Sequence, residues 1–100
     1  MVLMFYTYII RTTGNTLYTG QTNNLKRRVE EHTIHGKRAS KYLKSFLGCK
    51  LVYYEIYPIR SEAMRREAEL KNWSHDEKED LVKQCQFPLT EFNVEQKVPI

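Results

Sequence analysis

The sequence predicts an α+β domain: a small three-stranded antiparallel sheet flanked by helices, in the order ββααβαα. Three observations carry this. Residues 4–11 and 17–21 are rich in β-branched and aromatic types and flank a turn signal, Thr13-Gly14-Asn15, which is the signature of a hairpin. A third such run, 51–57, ends at Pro58. Four segments show helical spacing of apolar residues, two between the hairpin and the third strand and two after it. Adjacent strands followed by grouped helices favour a layered sheet over an alternating parallel one.

Each element has a local reason. The hairpin register depends on loop parity. A two-residue loop at Gly14-Asn15 places the Tyr8 and Tyr18 rings on opposite faces. A three-residue loop sets Tyr8 opposite Gly20 and Ile10 opposite Tyr18, so the rings are diagonal neighbours on one face. The odd loop is expected, because it gives Gly20 a use: lacking a side chain, it leaves room above the Tyr8 ring. Thr22 or Asn23 can cap a first helix running from about 24 to 34, with Leu25, Val29 and His32 on its apolar stripe. A short second helix near 39–47 carries Tyr42, Leu43, Phe46 and Leu47 and closes at Gly48. Ser61 is expected to cap a third helix over 62–73. Ser74 caps a fourth over about 75–85, with Ser74 and Glu77 forming a capping box. The domain is expected to span 1–85, with 86–100 an irregular C-terminal tail that either packs through Phe87, Leu89 and Phe92 or stays free.

Composition narrows the class. Apolar residues at 41% and charged residues at 28% describe a folding chain, not a disordered one. No apolar run approaches the ~20 residues of a membrane span. The apolar start lacks a basic stretch and a small-residue cleavage site, so no signal peptide is expected. Cys49 and Cys85 are too few for a disulfide scaffold and fit reduced thiols in a cytoplasmic protein. Zinc held by His32, His35, Cys49, His75 and Cys85 is disfavoured, because no Cys-x-x-Cys half-site exists. The net charge of +4 is uneven. Residues 1–60 hold ten basic against three acidic residues; 61–100 hold six against nine. The basic density peaks over 24–50, the footprint of a phosphate-backbone binder or of a solvated basic surface.

Polar residues on apolar helix faces are the sharper signal. Arg28 and His32 share the stripe of Leu25 and Val29, while Lys26, Arg27, Glu30 and Glu31 point elsewhere. In the third helix Glu67 falls in line with Ala63 and Leu70, with Met64 beside them, leaving Glu62, Glu69, Arg65 and Arg66 to solvent. Burying an unpaired charge costs several kcal/mol, so an inward Arg and an inward Glu need partners. They either pair with each other across two helices, or line a cleft where Arg28 meets a phosphate and Glu67 a metal ion.

Together these residues resemble the GIY-YIG nuclease domain over about 4–85. Tyr6-Thr7-Tyr8 stands for its first motif, without that motif's Gly and Ile, and Tyr18-Thr19-Gly20 for its second. Arg28 keeps the family's spacing of ten residues beyond the second tyrosine. His32 follows one helical turn later, and Glu67 matches the metal-binding glutamate after the third strand. The likeness is greatest to small stand-alone bacterial members.

The resemblance implies a divalent-metal-dependent endonuclease with one ion, Mg2+ or Mn2+, held by Glu67. Tyr8, Tyr18, Arg28, His32 and Glu67 are the implied catalytic residues, and Gly20 is a structural motif position. Arg28 would supply a fixed cation to the phosphoryl oxygens. Tyr8 is the candidate general base; a free phenol has pKa ~10, so it needs nearby positive charge to ionise near neutrality. Tyr18 and His32 could complete a proton chain, and either tyrosine or metal-bound water could serve as base. Gln21, Arg27, Lys37, Arg38, Lys41 and Lys44 are candidate nucleic-acid contacts, setting affinity and not sequence choice. The implied partner is nucleic acid, DNA before RNA, with no membrane and a protein partner as a source of specificity. The alternatives are a nucleic-acid-binding module without catalysis and an adaptor that retains the fold.

Overall fold

The computed structural model describes residues 3–12, 14–30, 50–87 and 89. Strands β1 (Phe5–Arg11), β2 (Leu17–Thr22) and β3 (Lys50–Tyr57) form one antiparallel sheet in the order β2-β1-β3. Helices α1 (Leu25–Glu30), α2 (Arg60–Lys71) and α3 (His75–Lys83) complete the described elements. This is the three-stranded α+β architecture that the sequence predicts. The helix expected over 39–47 lies outside the described residues, as does the expected end of the first helix.

The hairpin takes the odd register. Tyr8 pairs with Gly20 and Ile10 with Tyr18. Asn15 donates its backbone N–H to the Thr12 carbonyl at 2.9 Å and adopts φ 65°, a left-handed conformation that asparagine tolerates better than most residues. Arg11 reaches over the turn to the Asn15 Oδ1 at 2.6 Å.

Strand β1 is central and covered on both faces, so Thr7, Tyr8, Ile9 and Ile10 are all buried. On one face Tyr8, Ile10, Leu51 and Tyr54 pack with Leu25 and Val29 of α1. On the other, Ile9, Leu17, Val52 and Tyr53 pack with Leu70, and Trp73, Leu81 and Val82 border them. Burying one such aliphatic side chain is worth about 1.5–3 kcal/mol, so Leu25 and Val29 suffice to hold a six-residue helix that would not persist alone. A register shift opposite Ile9 and Ile10 leaves Val52 as an extra residue on β3. That bulge lets four consecutive residues, Leu51 to Tyr54, be buried without breaking the alternation elsewhere.

Two helix starts differ from expectation. Asn24, not Thr22 or Asn23, caps α1: its Oδ1 accepts from the Arg27 N–H at 3.1 Å, while Thr22 Oγ1 turns the chain by accepting from the Asn24 N–H. Helix α2 begins at Arg60, with Ile59 as N-cap and no side-chain cap bond, so Ser61 lies inside the helix. A tertiary contact ties this first turn to the sheet without capping its N–H groups: Thr7 donates its hydroxyl to the Ala63 carbonyl at 2.7 Å, both residues being fully buried. The capping box at Ser74 and Glu77 forms as expected. Phe87 stacks on Tyr54 at 5.1 Å and Leu89 packs beside it, so the start of the expected tail is anchored to the sheet. Phe92 lies outside the described residues.

Candidate nuclease site

The site starts from the register. Because Tyr8 faces Gly20 across the ladder, its ring lies over the one position of β2 that has no side chain. A Cβ at Gly20 would sit 2.5 Å from the Tyr8 hydroxyl and 2.6 Å from Cζ. The glycine is therefore required by the tyrosine, and no larger residue fits while the ring stays in place. Helix α1 then delivers the second group. With Leu25 and Val29 fixed against the sheet, Arg28 is half-buried on the same side and donates its Nε–H to the Tyr8 hydroxyl at 3.2 Å.

Tyr18, half-buried on the Tyr8 face, and Glu67 on α2 are close enough for their charges to act on the Tyr8 hydroxyl. Glu67 is 22% exposed and holds the Lys71 ammonium at 3.0 Å one turn along α2, a pair that a stronger cation could displace. Burial pushes the Tyr8 phenol above its ordinary value, and the Arg28 hydrogen bond and charge only partly offset it. At Tyr8, then, desolvation outweighs the neighbouring cation.

The predicted inward face of α2 needs two corrections. Ala63 and Leu70 are fully buried and Glu67 is half-buried, but Met64 is 47% exposed. Arg66 is not left to solvent. It reaches Glu55 on β3 at 3.0 Å and also pairs with Glu69. Its guanidinium carbon lies 5.2 Å from the centre of the Trp73 ring.

Beside the Tyr8–Arg28 pair a cleft of about 280 Å³ opens between the first strands and the starts of α1 and α2. It is lined by Phe5, Gln21, Thr22, Asn23, Arg27, Arg28 and Arg60. Gln21 and Arg27, expected as nucleic-acid contacts, therefore lie in one cleft with Arg28. Arg60 joins them, and sequence reasoning missed it. It stands outside the basic stretch at 24–50, and only folding brings the start of α2 to the end of β2. His32, Lys37, Arg38, Lys41 and Lys44 lie outside the described residues.

A half-buried carboxylate, a tyrosine–arginine hydrogen bond over a glycine, and a cationic cleft beside them define the class of protein. The model of the GIY-YIG catalytic domain matches residues 4–80, and the chain belongs to the GIY-YIG family of nuclease domains. It is 43% identical over 79 residues to a UPF0213 protein of Syntrophus aciditrophicus, covering 79% of this chain and 90% of that protein. A UPF0213 protein of Staphylococcus haemolyticus is 42% identical over 79 residues, covering 79% of this chain and 94% of that one. The solution NMR structure of a UPF0213 protein from Bacillus halodurans superposes with a TM-score of 0.52 at 28% identity, covering 98% of this chain and all of that one. Among the described residues no helix is long and apolar enough to cross a membrane.

Proposed function

We propose that this protein is a divalent-metal-dependent endonuclease that hydrolyses phosphodiester bonds in DNA with low intrinsic sequence specificity, working in the cytoplasm. The observation that carries the reading is the Arg28–Tyr8 hydrogen bond over Gly20, within reach of the Glu67 charge and beside a cationic cleft. The catalytic unit is residues 1–85, with 86–100 a tail.

The donor set fits one magnesium ion. Among the described residues no three His, Cys, Asp or Glu side chains cluster, and Glu67 is a carboxylate whose charge reaches the Tyr8 hydroxyl. A single carboxylate beside an open cleft suits an ion that keeps most of its waters and takes the rest of its ligands from a phosphate. Bound there, Mg2+ would stabilise the leaving oxygen as a Lewis acid and add positive charge near Tyr8. Arg28 has two tasks. Its Nε–H orients the Tyr8 hydroxyl and favours the phenolate, and Arg28 lines the cleft where phosphoryl oxygens would gather charge. Tyr8 takes the proton of the attacking water. Tyr18 lies on the same face, where it can pass that proton onward, with His32 as a further acceptor.

The test is nicking of supercoiled plasmid by the full chain with Mg2+ or Mn2+. Glu67→Gln should lower cleavage by about 100-fold or more, with circular dichroism and DNA binding retained. Full activity in that variant overturns the metal assignment. Binding without cleavage by the unaltered chain, on flap, nicked, duplex and single-stranded substrates alike, supports a non-catalytic module instead.

A further inference from the structure

We propose that the cleft beyond Arg28 is a second phosphate subsite, in which Arg60 and Arg27 grip the backbone phosphate adjoining the one at Tyr8. This rests on the nuclease reading and adds to it a positioning residue, Arg60, and a fixed register for the strand. The first support is an imbalance of charge. Two arginines outside the cleft hold carboxylates: Arg11 binds Glu79 through two bonds of 2.7 Å, and Arg66 binds Glu55. The cleft instead gathers Arg27, Arg28 and Arg60 with no Asp or Glu among its described lining residues. The Arg27 and Arg60 side chains make no ion pair with any described carboxylate. Like charges collected in one concavity raise the local concentration of an anion.

The second support is the remaining lining. Gln21 and Asn23 add amide donors, and Phe5 is the one large apolar side chain among the described lining residues. Planar guanidinium groups with side-chain amides match the oxygens of a phosphodiester better than those of an apolar ligand. The third support is continuity. Arg28 belongs both to the hydrogen bond with Tyr8 and to this cleft. A strand whose scissile phosphate lies at Tyr8 therefore brings its neighbouring phosphate, one nucleotide along, toward the cleft. Arg60 is exposed at the first position of α2, so its charge serves no buried contact that folding would need.

The experiment uses the full chain carrying Glu67→Gln, so that binding is measured without turnover. Fluorescence anisotropy follows a labelled DNA oligonucleotide, single-stranded and duplex, over a range of salt. Arg60→Gln should weaken binding by about 5–10-fold and reduce the slope of log K against log salt by about one. Oligonucleotides with a single uncharged methylphosphonate scanned along the strand sharpen the result. One position should cost the parent binding and cost Arg60→Gln almost nothing. In chains that retain Glu67, Arg60→Gln should raise KM more than it lowers kcat. Unchanged affinity and slope, or methylphosphonate losses that are the same at every position in both proteins, overturn the subsite. If plasmid nicking persists in that case, the subsite alone has failed. If neither protein binds any oligonucleotide, the nuclease reading falls with it.

Discussion

Two clusters of tyrosine, arginine and glutamate lie on this sheet, and they are built to opposite ends. On β3 and α2, Glu55 accepts from the Tyr53 and Tyr57 hydroxyls at 2.5 Å each and from Arg66 at 3.0 Å. Burial alone would raise the Glu55 carboxyl, but Arg66 and the two phenols outweigh it and hold it below the usual range. Burial, with the Glu55 carboxylate adding to it and Arg66 opposing, pushes the phenols up, Tyr57 to about 12. All four groups spend their charge and protons on one another. On β1 and α1, Arg28 and Tyr8 share one bond, and Arg28 still lines an open cleft with two further arginines. The same residue types make a staple when the carboxylate sits among them, and on our proposal a receptor for anions when it stands apart on a neighbouring helix.

Breaking the open cluster should produce the largest effect. Gly20→Ala places a methyl group where the Tyr8 hydroxyl now lies, so the ring must leave its bond with Arg28. Cleavage should fall by about 100-fold, while overpacking costs about 1–3 kcal/mol of stability. Nicking assays beside urea unfolding separate the two. A variant that is fully active and equally stable would show that the ring can move freely.

Breaking the closed cluster should reverse the pattern. Glu55→Ala leaves two half-buried phenols and a guanidinium without their shared acceptor, so stability should drop by about 2–3 kcal/mol. Cleavage per folded molecule should hardly change. A selective loss of activity at full stability would mean that the two clusters communicate through the sheet.

The smallest effect is expected at the exposed end of β1. Arg11 holds Glu79 well below the usual carboxylate range, at about 2, with His75 3.0 Å away on the next turn adding to the effect. A carboxyl lowered on folding contributes stability above its unfolded pKa, and the contribution disappears as pH falls from about 4.5 toward 2. Both side chains are about a quarter exposed, so solvent screening limits the pair to about 1 kcal/mol or less. Glu79→Gln should lower stability at neutral pH by that amount, match the parent near pH 2, and so flatten the acid limb of a stability–pH curve measured by urea unfolding. An identical acid limb in the variant would show that the Arg11–Glu79 pair contributes nothing to it.

Much of the site was legible before folding because its residues obey local rules. Alternation and turn chemistry set the hairpin register, and the register alone explains why Gly20 must face Tyr8. Helical spacing put Arg28 with Leu25 and Val29, and Glu67 with Ala63 and Leu70. Charge counting found the basic stretch but not Arg60, because one arginine in a mixed segment carries no signal until its neighbours in space are known. Arg66 was misread for a related reason: helical spacing points it outward, and the acceptor that draws it down, Glu55, is on a strand that periodicity cannot place beside it.

By itself, then, the chain of residues determined the element types, the odd hairpin loop, the capping box at Ser74 and the inward side of Glu67, all consequences of contacts within a few positions. Only the tertiary structure decided the β3 bulge at Val52, the uncapped start of α2 held by Thr7, and the gathering of Arg60 with Arg27 and Arg28. It also decided the balance at Tyr8, where desolvation outweighs a neighbouring cation. These are sums over groups distant in sequence, and burial and Coulomb energy depend on distances that exist only once the chain has closed.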